Sequence, residues 1–158
     1  MTDNIRCACC FTGHREIPKN LIPQIRSKLS AELQRLYTDF GVKTFISGGA
    51  IGFDLLAAET VVELKRLYPD VSLIFALPCE NHTSKWGDAA ISKFRVLSLY
   101  ADETVYVSST YYNGCMHVRN KFMLENSAYC IAYCKKTSGG SYYTLSLAKK
   151  MGRTTIEL

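Results

Sequence analysis

Four short clusters in the sequence combine glycine with groups that bind anions or handle protons. The first is Thr12-Gly13-His14-Arg15, where a glycine permits close backbone approach and an arginine offers a planar fork suited to phosphate. The second, Ser47-Gly48-Gly49-Ala50-Ile51-Gly52-Phe53-Asp54, sets three glycines ahead of an acidic residue. Glycines at a helix entrance leave N–H groups and the positive end of the helix dipole unobstructed, which makes an anion site. The spacing is Gly-Gly-x-x-Gly, distinct from the fingerprint of dinucleotide enzymes, and no lysine follows where a Walker loop requires one. The third cluster is Met116-His117-Val118-Arg119-Asn120, and the fourth is Ser138-Gly139-Gly140-Ser141, a second glycine-rich helix entrance. Two such entrances facing one another can hold one phosphate and the sugar it carries. The first three clusters also have a plain structural reading: a turn with a solvent-facing Arg15, a helix-stabilising acid at Asp54, a surface charge at Arg119.

Other residues offer less. Glu80-Asn81-His82 brings a carboxylate and an imidazole together, as a general acid or base or as an ordinary polar loop. Trp86, Tyr111 and Tyr112 can stack on a base or pack on a sheet. Of the seven cysteines, Cys7, Cys9 and Cys10 lie in one apolar run, where residues 7 and 9 would face one way and residue 10 the other. That alternation and three dispersed histidines argue against a metal site, and the thiols read as small buried hydrophobes in a reducing cytoplasm. The excess of 19 Lys+Arg over 14 Asp+Glu gives a charge of +5, which suits an anionic small molecule and permits nucleic acid without demanding it.

The elements that must position these clusters alternate along the chain. Residues 7–11 form an apolar run of the kind buried on both faces, and a long helix follows over 18–40. Its stripe of Leu21, Ile25, Leu29, Leu33, Leu36 and Phe40 steps by three or four, with Gly41 as a stop. Further strands are predicted at 43–47, 71–77, 104–107, 129–134 and 154–156, and helices up to 68 and over 86–100, 116–126 and 141–151. This series implies one α/β domain over all 158 residues: three layers, Rossmann-like, with a mainly parallel sheet and helices on both faces. The loops after the strands then share one edge, where function belongs. With 47% apolar and 21% charged residues the composition is that of a soluble globular chain. No run approaches the roughly 18 apolar residues of a membrane span, and the start lacks the layout of a secretory signal.

Together, TGHR after the first strand, SGGAIGFD after the second, M-x-x-R-N on a later helix and GGS before the last helix resemble the SLOG superfamily. Its Rossmann-like members include DNA-processing protein A (Smf/DprA) and the LOG phosphoribohydrolases, and the likeness is to the YpsA-like branch. The resemblance covers about residues 6–156 and implies a nucleotide or nucleotide derivative, related to ADP-ribose or NAD, at the strand C-terminal edge. It maps Thr12, Gly13, His14 and Arg15, then Gly48, Gly49, Ala50, Gly52 and Asp54, then Arg119 and Asn120, and finally Gly139, Gly140, Ser141 and Thr144 onto the ligand. Arg119 stands where LOG enzymes have the arginine of M-x-x-R-K, with Asn120 in place of the lysine. The LOG motif P-G-G-x-G-T-x-x-E departs here: Ser138 replaces the proline, and Ser146 and Leu147 occupy the region of its glutamate. The expected function is therefore a cytoplasmic nucleotide-binding sensor or regulator, with the nucleotide as ligand and no cofactor or metal. A LOG-like N-glycosidic hydrolase is the alternative, its carboxylate drawn from Glu80, Asp54 or Asp88 with Arg119 orienting the phosphate. Single-stranded DNA binding, as in DNA-processing protein A, ranks third, and a homo-oligomer is compatible with all three.

Overall fold

The computed structural model describes residues 4–158. Strand and helix alternate without a break: β1 (Ala8–Gly13), α1 (Ile22–Phe40), β2 (Thr44–Ser47), α2 (Phe53–Leu67), β3 (Ser72–Leu77), α3 (Asp88–Tyr100) and β4 (Glu103–Tyr106). Then come α4 (Cys115–Glu125), β5 (Tyr129–Tyr133), α5 (Gly140–Lys150) and β6 (Thr154–Glu157). All neighbouring strands pair in parallel, in the order β4-β3-β2-β1-β5-β6. The sheet is thus wholly parallel, as expected when every connection is a helical crossover.

The two cores follow from the pleat. Cys9, Phe11, Phe45, Leu73 and Phe75 point to the side covered by α1 and α2, against Leu29, Leu33, Leu36, Phe53 and Val61. Cys10, Ile46, Ile74, Ala76 and Cys130 point the other way, against Met123 and Leu124 of α4 and Ala148 of α5. Cys9 and Cys10 therefore serve different layers. Each fully buried Leu or Phe contributes about 1.5–3 kcal/mol. α3 buries only Leu97 and packs on α2, and β4 is an exposed edge.

Element ends shift by a few residues from the sequence reading, for identifiable reasons. Cys7 falls outside the first strand because Ile5–Cys7 closes a tight turn, whose Arg6 N–H donates to the Asn4 side chain at 3.0 Å. A turn at Lys19–Leu21 delays α1 to Ile22, and α1 ends where Gly41 adopts φ +69° and returns its N–H to Leu36. Phe40, the last residue of the stripe, is half exposed; it meets the Tyr129 ring at the start of β5 and the Arg35 guanidinium, outside the buried core. No helix among the described residues is long and apolar enough to cross a membrane.

One feature of the strand order positions the site. The chain moves outward from β1 to β4, then returns across the sheet to place β5 on the other side of β1. The helices that follow β1 and β5 cover opposite faces, which leaves a crevice at the strand C-termini.

Candidate functional site

A cavity of about 350 Å³ occupies that crevice. Phe11, Thr12 and Gly13 form its floor at the end of β1, with His14 and Arg15 beside them. Gly13 has no room for a side chain, since a Cβ there would lie 2.4 Å from the Phe53 ring. His14 pins the β1 and β5 loops together: its Nε2 accepts the Lys135 N–H at 2.8 Å, and its ring meets Tyr133 edge-on. Burial, aided by the charges of Lys136 and Lys135, holds the His14 imidazole below its ordinary pKa, which suits an acceptor nitrogen. Arg15 is exposed, and its guanidinium reaches Met116 at the cavity wall.

The loop from Ser47 to Asp54 contributes differently from its sequence reading. Ala50 and Asp54 line the cavity, whereas Gly48, Gly49 and Gly52 are not among its lining residues. Several of the loop's N–H groups are already engaged inside the protein. Gly49 N–H donates to Ser47 Oγ at 3.2 Å, Ala50 N–H to Asp54 Oδ2 at 3.4 Å, and Phe53 N–H to the His14 carbonyl at 3.0 Å. The glycines instead permit crowding. A Cβ at Gly52 (φ +88°) would lie 2.3 Å from the Arg15 carbonyl oxygen, and one at Gly48 would lie 2.6 Å from Asp54 Oδ2 and 2.7 Å from Arg119 Nη1. The carboxylate and the guanidinium are thus packed over the Gly48 backbone.

Arg119 and Asp54 enter from opposite faces of the sheet, on α4 and α2. Both are over nine-tenths buried, at 4% and 7% exposure. Arg119 Nη1 donates to the Gly48 carbonyl and, at 3.5 Å, to that of Ala76, while Nε donates to Asn120 Oδ1 at 2.7 Å. These bonds tie α4 to the ends of β2 and β3 and fix the guanidinium at the cavity wall. Burial raises the Asp54 pKa, and the Arg119 charge and the Ala50 N–H oppose that rise. Burial likewise lowers the Arg119 pKa, with Asp54 opposing. Each charge is tolerated because of the other.

The second glycine-rich entrance stays open. Ser138, Gly139, Gly140 and Ser141 line the cavity, and a Cβ at Gly139 or Gly140 would meet nothing within 4 Å. Gly139 has φ +92°, which turns the chain into α5. Behind it, Asn120 Nδ2 donates to Thr144 Oγ1 at 3.1 Å, and Thr144 Oγ1 donates to the Gly140 carbonyl at 3.0 Å. Thr144 is buried and supports the wall from behind, while Asn120 lines it.

Glu80 and Asp88 are exposed and do not line this cavity, so Asp54 is its carboxylate. His82 packs edge-on against Trp86 and Phe94, which turns Trp86 toward the core rather than the cavity. Burial pushes the His82 pKa down to about 4; the Gly49 carbonyl opposes this and the Arg119 charge reinforces it. Tyr111 and Tyr112 are exposed in the loop before α4. His117 of the third cluster also lines the cavity, as does Lys136, which the sequence reading had not singled out. The signal for Lys136 is its place in the loop just after a buried strand, where its charge can serve a ligand.

A family model described as the YspA SLOG family, YpsA, matches residues 10–157. The chain belongs to this family. Every cavity-lining residue falls within the matched span. A UPF0398 protein of Staphylococcus epidermidis is 29% identical over 155 residues, covering 91% of this chain and 82% of the relative. The fold is similar to DNA processing protein A from Streptococcus pneumoniae, with a TM-score of 0.66 and 16% identity over 95% of this chain. The chain spans about half of that protein, 49%. The Helicobacter pylori protein A, whose structure is described for its single-stranded DNA binding mode, gives a TM-score of 0.67 at 18% identity, over 97% of this chain and 65% of that one.

Proposed function

We propose that this YpsA-family chain binds a phosphorylated nucleotide of mononucleotide size as a sensor or regulator. The observation that carries the reading is one cavity in which an open helix N-terminus (Gly139, Gly140, Ser141), a buried Arg119 and the peripheral Arg15 and Lys136 converge. An anion on the first amides of α5 gains the helix dipole, and guanidinium groups add charge-assisted hydrogen bonds. The amides of the loop after β2 are largely spoken for, so the phosphate is assigned to the α5 entrance alone. A volume of 350 Å³ sits near the lower end of the roughly 300–1,000 Å³ range of ligand clefts, which favours AMP over a dinucleotide. The free thiols, most of them buried, accord with a reducing cytoplasm.

Calorimetric titration of the folded chain with AMP, ADP-ribose and inorganic phosphate tests this. Binding of AMP that weakens between low and physiological salt supports it, and no heat from any of the three refutes it. An N-glycosidic hydrolase is the second reading, favoured by the placement of Asp54 beside Arg119 in the cavity. Release of free base from a nucleotide panel, lost in Asp54→Asn, would favour it. An oligothymidine added to the same titration tests the DNA-binding reading suggested by the protein A neighbours; binding of it in preference to AMP would replace the mononucleotide.

A further inference from the structure

We infer that Asp54 reads the ring hydroxyls of a ribose, so that the site selects ribonucleotides over 2′-deoxyribonucleotides. The inference rests on the phosphate assignment above and adds the chemistry of the rest of the ligand.

The cavity is polar in a sorted way. At the α5 end it presents donors: the amides of Gly139, Gly140 and Ser141, with Lys136 beside them. At the β2 end stands Asp54, which when ionised is an acceptor only. Its Oδ2 is held by the Ala50 N–H, and among the described residues Oδ1 has no hydrogen-bond partner. A carboxylate so deep and so incompletely bonded repels a phosphate and is satisfied by a donor supplied by the ligand. Arg119 Nη2, also without a partner among the described residues, lies on the same wall and can donate to a hydroxyl oxygen or a phosphate ester oxygen. A hydroxyl between carboxylate and guanidinium has both its donor and its acceptor capacity met, which a second phosphate, an acceptor only, does not achieve.

Asp54 lies over Gly48 at the end of β2, and the α5 entrance lies beyond β5, with β1 between them. Two strand spacings are about 10 Å. In a ribose 5-phosphate the 2′-hydroxyl lies five bonds from the ester oxygen, about 5–6 Å at ~1.5 Å per bond, so a phosphate on the α5 amides leaves that hydroxyl on the Asp54 side of the cavity. The base is then directed toward the mouth, where His117 lines the cavity and its ring meets Tyr143 edge-on at 5.2 Å.

The test compares AMP with 2′-dAMP, and ribose 5-phosphate with 2-deoxyribose 5-phosphate, by calorimetry on the whole chain. The expected result is at least about tenfold weaker binding of both deoxy compounds, because a hydroxyl removed from a carboxylate leaves that carboxylate unpaired. In Asp54→Asn the ratio should shrink to about threefold or less, while inorganic phosphate binds as well or better with the negative charge gone. Equal affinity of the unaltered protein for ribo and deoxy ligands overturns the inference and leaves the phosphate assignment standing. Unchanged discrimination in Asp54→Asn also overturns it. Failure of inorganic phosphate and AMP alike to bind overturns the nucleotide reading and this inference with it. The ribo-to-deoxy ratio needs no variant, so a poorly folding Asp54→Asn does not remove the test.

Discussion

Replacing Arg119 by methionine keeps most of the side chain's length and apolar stem but removes its charge and donors. Two carbonyls, Gly48 and Ala76, then lose a partner, and Asp54 is left without its counter-charge at 7% exposure. Removing one member of a buried pair costs about 3–5 kcal/mol, a large part of the 5–15 kcal/mol that holds a domain folded. The cost must depend on pH. Burial already raises the Asp54 pKa above its ordinary 3.8, and Arg119 restrains that rise. Without Arg119 the folded-state value climbs further. A carboxyl raised in the folded state adds stability below its unfolded pKa, and that contribution is lost as pH rises through the folded pKa. The variant should therefore lose most relative to wild type near pH 7.5 and markedly less near pH 5. The assay is urea unfolding at both pH values, followed by circular dichroism. The double variant Asp54→Asn/Arg119→Met should recover about 1–3 kcal/mol of the loss at pH 7.5. An identical loss at both pH values, with no recovery in the double variant, would refute the claim that these charges sustain each other.

Gly52→Ala places a Cβ 2.3 Å from the Arg15 carbonyl oxygen at φ +88°. Overpacking and left-handed strain together should cost about 3–5 kcal/mol, a melting-point drop of roughly 6–20 °C by calorimetry. Gly140→Ala, with nothing within 4 Å, should leave stability unchanged or raise it by up to about 1 kcal/mol. Its methyl group fills the phosphate cradle, however, so AMP affinity should fall at least about tenfold by titration. For His82, whose folded pKa is about 4, the folded state binds fewer protons than the unfolded one between there and 6.5. Stability present above pH 6.5 should thus be lost on acidification, by about 1–2 kcal/mol after solvent screening. In His82→Phe the unfolding free energy should show that much less dependence over the same interval.

Most of the architecture was legible because helix and strand leave different periods. The α1 stripe at Ile25, Leu29, Leu33 and Leu36 is buried as its spacing requires, and residues 8–11 are buried on both faces as an unalternated run implies. The loops were less legible, since a glycine's role depends on what approaches it. Gly48, Gly49 and Gly52 look like an anion cradle in sequence, yet they make room for Arg119, Leu77 and the Arg15 backbone. The similar-looking pair Gly139 and Gly140 faces open space. Only three-dimensional neighbours separate the two cases. Arg119 could be matched to a family motif, but its burial by carbonyls 71 and 43 residues away leaves no local trace.

The anchoring of α4 on the β2 and β3 ends makes the pocket a late product of synthesis. A nascent chain that has emerged as far as β4 carries Arg15, Ala50 and Asp54 but lacks Arg119 and the whole α5 entrance. Central strand β1, the first made, must wait for β5, more than a hundred residues downstream, before its second neighbour arrives. On the proposed reading, a fragment that ends before α5 lacks the phosphate cradle, and occupancy of the cavity reports that α5 is in place. Added nucleotide should consequently protect the chain that includes α5 from proteolysis while leaving chains truncated before it as vulnerable as before.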